Sequence, residues 1–427
     1  MGRQRISLAD RIMRIFVPLP LFIFFLTLPV VPTARASDAG LPCQIATPAQ
    51  AANGSPGFTW RVGPLSDLAP AASPFSMAVW GDSLTSAVHF LDGVLQGYGI
   101  ERKNVVPAFI QAGLQVRGLA LPLKDYCASN GWTTRYAYKE KPGTRAFSKG
   151  LLSMHSDTPG ATVFLDFRAP RSGHRLKHLT VLYEKREPDA SLLLAVSIDG
   201  APERMISLSR TEAKALHLMP DEPMSTLRVR RASRAVTLHG FEPGHQGTPA
   251  AVVDVFSIPG ATLRGWSNTE DQLISAGERP GMPARAPDYD LILIQSGTNE
   301  GAGRFDRTAY LADVRASLTR IRTFYPRSRC VLIGPPDRGV VGATGPPASL
   351  RYAAIHREIA LAQRQVASEH GCGFWDWQAA MGGPGAAKRW AGMTPPQMQS
   401  DLTHLTAKGY VASGRMFAEE FPLKNKK

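Results

Sequence analysis

A chain of 427 residues is long enough for a sizeable core and a second domain, and its 44% hydrophobic and 20% charged residues exclude a disordered polymer. The formal charge of +14 suits attraction to an anionic surface, whether nucleic acid, membrane or acidic polysaccharide, but says nothing of fold. No DNA- or RNA-binding signature accompanies it. The densest basic cluster, Arg228, Arg230, Arg231 and Arg234, alternates with Leu227, Val229 and Val236, as on the solvated face of a strand.

At the amino end, Arg3, Arg5, Arg11 and Arg14 precede the apolar stretch IFVPLPLFIFFLTLPVV, which exits through Ala34-Arg35-Ala36 before Ser37. Charged start, apolar middle and small exit residues predict a signal peptide over residues 1–36 and a periplasmic or secreted mature protein. Pro18, Pro20 and Pro29 disfavour a spanning helix, and no later segment is long and apolar enough, so no stable membrane span is expected after cleavage. Export permits disulfides, and the four cysteines allow three pairings. Cys330 with Cys372 is favoured, since each begins a predicted strand of one sheet, which leaves Cys43 with Cys127. Their spacing matches no zinc pattern.

The first clear strand, SMAVW, runs into Gly81-Asp82-Ser83-Leu84, and AVHFLDGVLQGYG after it is helix-like. The pattern then changes. ATVFLDFRAP, KHLTVLYEKRE, SLLLAVSIDG and STLRVRRASRAVTLHGF are short β-branched or alternating runs separated by Pro, Gly, Asp and Ser, which predicts an all-β sandwich over residues 140–250. Only SRTEAKALHL, near 209–218, reads as weakly helical. From residue 289 onward DYDLILIQSG, SRCVLIGPP and CGFWDW alternate with FDRTAYLADVRASLTRIRTFYP and LRYAAIHREIALAQRQVASEHG. Strands alternating with helices predict an α/β fold with a mostly parallel sheet, built from residues 37–139 and 251–427 around the insert.

Gly, Asp and Ser are ordinary turn residues, yet Ser83 also stands at the carboxyl end of a strand, where open α/β sheets place their sites. A serine attacks only when a base takes its proton, most often a histidine oriented by a carboxylate. DLTHLTAKGY supplies both within one loop, as Asp401 and His404. An attacked ester carbonyl becomes an oxyanion and needs donors, for which the backbone at Gly260 in IPGA and the amide of Asn299 in SGTNE are suited. Asp82 reads as a structural part of its turn.

These four blocks, GDSL, PGA, SGTNE and DLTH, occur in order and resemble the SGNH, or GDSL, hydrolase family, named for the Ser, Gly, Asn and His that stand here as Ser83, Gly260, Asn299 and His404. The resemblance implies a three-layer α/β fold in which Ser83 attacks an acyl carbonyl, His404 is general base then acid, and Asp401 orients it. The Ser83 and Gly260 amides and the Asn299 side chain would form the oxyanion hole, with no metal or organic cofactor. The long gap between Ser83 and Gly260 is similar to the branch of periplasmic peptidoglycan O-acetylesterases, whose frame is interrupted by a carbohydrate-binding-like β-domain, although Pro259 replaces the more usual asparagine. An SGNH protein associated with bacterial cellulose synthesis is also similar. The expectation is an exported esterase removing O-acetyl groups from a polysaccharide, with peptidoglycan and cellulose as candidate substrates. O-acyl transfer by the same triad, and a non-catalytic glycan-binding or assembly role, are the alternatives.

Other candidates carry less. His174 and His178 in HRLKH have metal-pair spacing only on a helix, and the surrounding pattern is β. Trp375 and Trp377 read as strand neighbours with one in the core, and Tyr183 as a core residue.

Overall fold

The computed structural model describes residues 59–62, 75–144, 146–168, 175–185, 192–208, 215–275, 288–346 and 348–423. The expected signal peptide, Cys43 and His174 lie outside them.

Ser76–Trp80 is β1, Val105–Val106 β2, Ala251–Val255 β3, Leu291–Gln295 β4, Arg329–Ile333 β5 and Gly373–Trp375 β6. They form one parallel sheet in the order β6-β5-β4-β1-β3-β2. A parallel strand covered on both faces reads as a continuous apolar run, and SMAVW and LILIQ do. Met77, Val79, Leu291 and Leu293 face one cluster, while Ala78, Trp80, Ile292 and Ile294 face the other.

Helices cover both faces. The short α1 (Ser83–Ser86) follows β1; α2 (His89–Gly97) comes next, then α3 (Arg307–Phe324), α4 (Arg351–Glu369) and α5 (Ala407–Glu420). Phe90, Leu91 and Val94 of α2 and Tyr410 and Phe417 of α5 close the first face; Val314, Leu318 and Ile321 of α3 and Ile359 and Val366 of α4 close the second. Helix α2 lies directly on α5. A Cβ on Gly93 would stand 2.2 Å from the Val411 carbonyl oxygen, and one on Gly414 2.1 Å from that of Phe90, so only glycine permits the approach. Cys330 of β5 is disulfide-bonded to Cys372, the residue before β6. Cys127 is disulfide-bonded as well.

The remaining strands are antiparallel. Trp60–Val62, Ala215–Pro220, Leu176–Lys185, Val236–His245, Leu152–Ser156 and Thr133–Tyr136 pair in that order, with Ile110–Gln111 against Val236–His245. A second sheet runs Arg204–Leu208, Leu192–Ile198, Thr226–Arg231, Thr162–Asp166, Asp125–Ala128. Both sheets contribute to one apolar cluster, with Val181, Tyr183 and Leu238 from the first and Val163, Val196 and Val229 from the second. These sheets are not confined to 140–250: strands at 60–62, 110–111, 125–128 and 133–136 also join them. The Asp254 carboxylate of β3 ties the two parts, accepting from the Ala108 and Phe109 amides at 2.8 Å and from the Tyr289 hydroxyl at 2.6 Å.

Three local expectations change. Residues 215–218, read as helical, are strand, because pairing with Leu176–Lys185 and burial of Leu216 and Leu218 override a weak helical preference. Trp377 is not a strand neighbour of Trp375 but opens a short helix, Trp377–Ala380, capped by Asp376, and both indoles are buried. Arg228 and Arg230 lie on the outward face beside Glu203, whereas Arg231 is buried and donates to the Asp157 carbonyl at 2.6 Å. His178 lies on a strand opposite Gly244, so HRLKH presents no helical pair.

Candidate active site

Strand β1 ends in the middle of the sheet, and the chain turns there within one residue. Gly81 makes this possible: a Cβ would lie 2.1 Å from Thr85 Oγ1 and 2.9 Å from Gln295 Oε1. Asp82 then caps α1, its carboxylate accepting from the Leu84 amide at 2.9 Å, while its own amide donates to Gln295 Oε1 at 3.0 Å. The turn and the serine placement are therefore one feature. The tight turn lifts Ser83 to the carboxyl edge of the sheet as the first residue of α1.

His404 arrives from the other end of the chain. Its Nε2 is 3.0 Å from Ser83 Oγ, and its Nδ1 is 2.7 Å from Asp401 Oδ2. A carboxylate on Nδ1 selects the tautomer that leaves Nε2 free to accept the serine proton. Asp401 is itself fixed, because Oδ1 accepts from the Thr403 and His404 amides, each at 2.9 Å. Partial burial pushes the Asp401 carboxyl up, but the bonds from the His404 ring and these amides outweigh it and hold it below the usual range. Leu402 takes the left-handed φ of 53° that closes this loop.

Gly260 and Asn299 come to the same edge. The Ile258 amide donates to the Gly81 carbonyl at 2.9 Å, which lays the PGA turn beside the serine turn, and Gly260 has a φ of 81° that favours glycine. Asn299 Nδ2 donates to the Ala261 carbonyl at 2.9 Å and contacts Asp82 Oδ2 at 3.4 Å. Among the described residues no hydrogen bond joins Gly260 or Asn299 to Ser83.

The structure adds residues that sequence reading did not single out. Glu300 accepts from the Gly297 amide at 3.0 Å and the Leu263 amide at 3.3 Å, clamping the SGTNE turn to the chain beyond Gly260. Burial, with Asp82 nearby, pushes Glu300 up to about 7, and burial pushes Asp82 up to about 6. Tyr138 donates to the Pro259 carbonyl at 3.4 Å. Glu300 had a signal, its place beside Asn299; Tyr138 had none.

A central parallel sheet lies between helical layers, with a Ser-His-Asp chain at its carboxyl edge. Residues 239–412 match the GDSL-like Lipase/Acylhydrolase family, so that part of the chain carries a domain of the family. The matched span includes Gly260, Asn299, Asp401 and His404 but not Ser83, which the fold brings to them. Among solved structures, a peptidoglycan O-acetylesterase superposes with a TM-score of 0.60 at 19% identity, over 82% of this chain and 91% of that one. That likeness extends the SGNH hydrolase fold beyond the family match. A family 2 carbohydrate esterase with a carbohydrate-binding domain from Corynascus thermopiles has a TM-score of 0.27 at 15% identity, over 67% of this chain and 98% of that one. No curated protein matches the chain.

Proposed function

We propose that this chain is an exported serine esterase that removes O-acetyl groups from a bacterial polysaccharide through an acetyl-enzyme. The observation that carries the reading is the continuous chain Ser83 Oγ, His404 Nε2, His404 Nδ1, Asp401 Oδ2, with links of 3.0 and 2.7 Å. His404 takes the Ser83 proton as Oγ attacks the acetyl carbonyl; the Ser83 and Gly260 amides and the Asn299 amide receive the developing negative charge. His404 then returns the proton to the departing sugar hydroxyl and activates water to release acetate.

The polysaccharide assignment is supported by the peptidoglycan O-acetylesterase overlay and by the two antiparallel sheets, read here as an inserted, glycan-facing β-sandwich. Export rests on the amino-terminal sequence; no helix among the described residues is long and apolar enough to cross a membrane.

Acetate release by residues 37–427 from O-acetylated peptidoglycan and from acetylated cellulose, beside Ser83→Ala, tests the reading. Release that depends on Ser83 is expected. No such release from either polymer, with acetyl groups moved to an acceptor glycan or not moved at all, would replace it with transfer or a non-catalytic role.

A further inference from the structure

Arg338, in the loop after β5, and Arg351, the first residue of α4, form a pair that the chemistry above does not use. The Arg338 guanidinium lies 4.0 Å from the centre of the Tyr352 ring, and that of Arg351 lies 5.6 Å from it, so one aromatic ring serves two cations. Elsewhere Arg168, Arg230, Arg315 and Arg327 each meet a carboxylate. Among the described residues, Arg338 and Arg351 meet none. Arg338 Nε is moreover buried with no hydrogen-bond partner, a costly state for a charged donor.

Contacts on two sides tie the Arg338 loop and α4 to the loops that hold the reacting groups. The Gly339 amide donates to the Leu402 carbonyl at 2.9 Å, which joins the Arg338 loop to the loop that holds Asp401 and His404. Tyr352 and His356 stand one turn apart on the same face of α4. His356 packs against Gly301, where a Cβ would lie 3.1 Å from the ring, and Gly301 lies two residues beyond Asn299. The His356 Nδ1–H donates to the Pro336 carbonyl at 2.7 Å, which fixes α4 to the same loop. The Arg338 loop is thus linked directly to the histidine loop, and Tyr352 through α4 to the asparagine loop.

We propose that Arg338 and Arg351, with Tyr352 between them, bind a carboxylate of the glycan whose acetyl group Ser83 removes, so that the substrate is an acidic polysaccharide and not a neutral one such as cellulose. This rests on the esterase reading and names its substrate class. A planar guanidinium matches a carboxylate in a two-pronged geometry, and the aromatic face holds the guanidinium in place. Two sources carry that chemistry: uronic acid units, and the lactyl or peptide carboxylates of peptidoglycan.

The test compares kcat/KM for acetate release from O-acetylated peptidoglycan fragments, the same fragments with carboxyls converted to methylamides, and O-acetylated polyuronate with and without that conversion. The wild-type chain should prefer the free-carboxyl form roughly tenfold, on whichever polymer is its source, and Arg338→Gln with Arg351→Gln should bring that ratio close to one. Arg338→Lys, which keeps the charge and loses the fork, should fall between. A wild-type ratio near one on both polymers, or a double variant that keeps its preference while remaining folded, would overturn the proposal. Binding of the same four probes to Ser83→Ala is measured in parallel. If no acetate is released from any probe, the esterase reading fails by itself, and the carboxylate subsite then stands or falls on whether that binding prefers free carboxyls and needs both arginines.

Discussion

Ser83 and His404 are 321 positions apart in the chain, yet Ser83 Oγ and His404 Nε2 are 3.0 Å apart in space. The approach is set by packing well away from the reacting atoms. Helix α2, which follows the serine turn, rests on α5, which follows the histidine loop, through glycines that admit no side chain.

That packing gives the first prediction. In Gly414→Ala the new methyl meets the Phe90 backbone carbonyl, which cannot swing aside as a side chain would. Stability should fall by about 1–3 kcal/mol, as overpacking does. Urea unfolding measures it; a midpoint unchanged from wild type would show that the two helices tolerate separation.

On the proposed chemistry, His404→Gln should reduce kcat/KM for a soluble acetyl ester by roughly 10⁴-fold or more, and Asn299→Ala should reduce kcat by roughly 10²–10³-fold. The two losses have different origins, one a missing base and one a missing donor to the oxyanion. If Asn299→Ala raised KM at constant kcat, its amide would be binding the ground state and not the developing charge.

A pH dependence of stability follows from the buried carboxyls. Burial raises Glu300 from 4.5 to about 7, with the Asp82 carboxyl adding to it, and burial raises Asp82 from 3.8 to about 6. The folded chain therefore holds these protons more tightly than the unfolded chain. Their contribution is fully present below about pH 4 and is lost as pH rises through about 7. Glu300→Gln should flatten the decline between those limits. Unfolding midpoints near pH 5 and pH 7.5 decide it, and an equally steep fall in the variant would assign the decline elsewhere.

The Cys330–Cys372 bond closes a loop with a sequence separation of 42. A crosslink over such a loop restricts the unfolded chain, so replacing both cysteines by alanine should cost about 2–4 kcal/mol, with β5 and β6 still paired. Equal stability of the double variant and the wild type under oxidising conditions would contradict this.

The sequence by itself determined what depends on neighbours along the chain. Apolar runs such as LILIQ, bounded by turn residues, suit covered strands, Asp82 caps the helix that begins next to it, and Asp401 reaches His404 within a single loop. Relations between distant segments were decided by the tertiary structure alone. Residues 215–218 carry a weak helical pattern yet become strand because a partner strand and a buried face outweigh local preference. Short runs at 110–111, 125–128 and 133–136 join the antiparallel sheets because strand pairing is satisfied across space, which no periodicity records. Glu300 and Tyr138 matter through backbone groups of the turn that holds Gly260 and of the chain just beyond it, and Arg338 through a ring on another helix and a loop near the carboxyl end. A residue's type limits what it can bind, but only the fold decides which atoms stand within hydrogen-bonding distance.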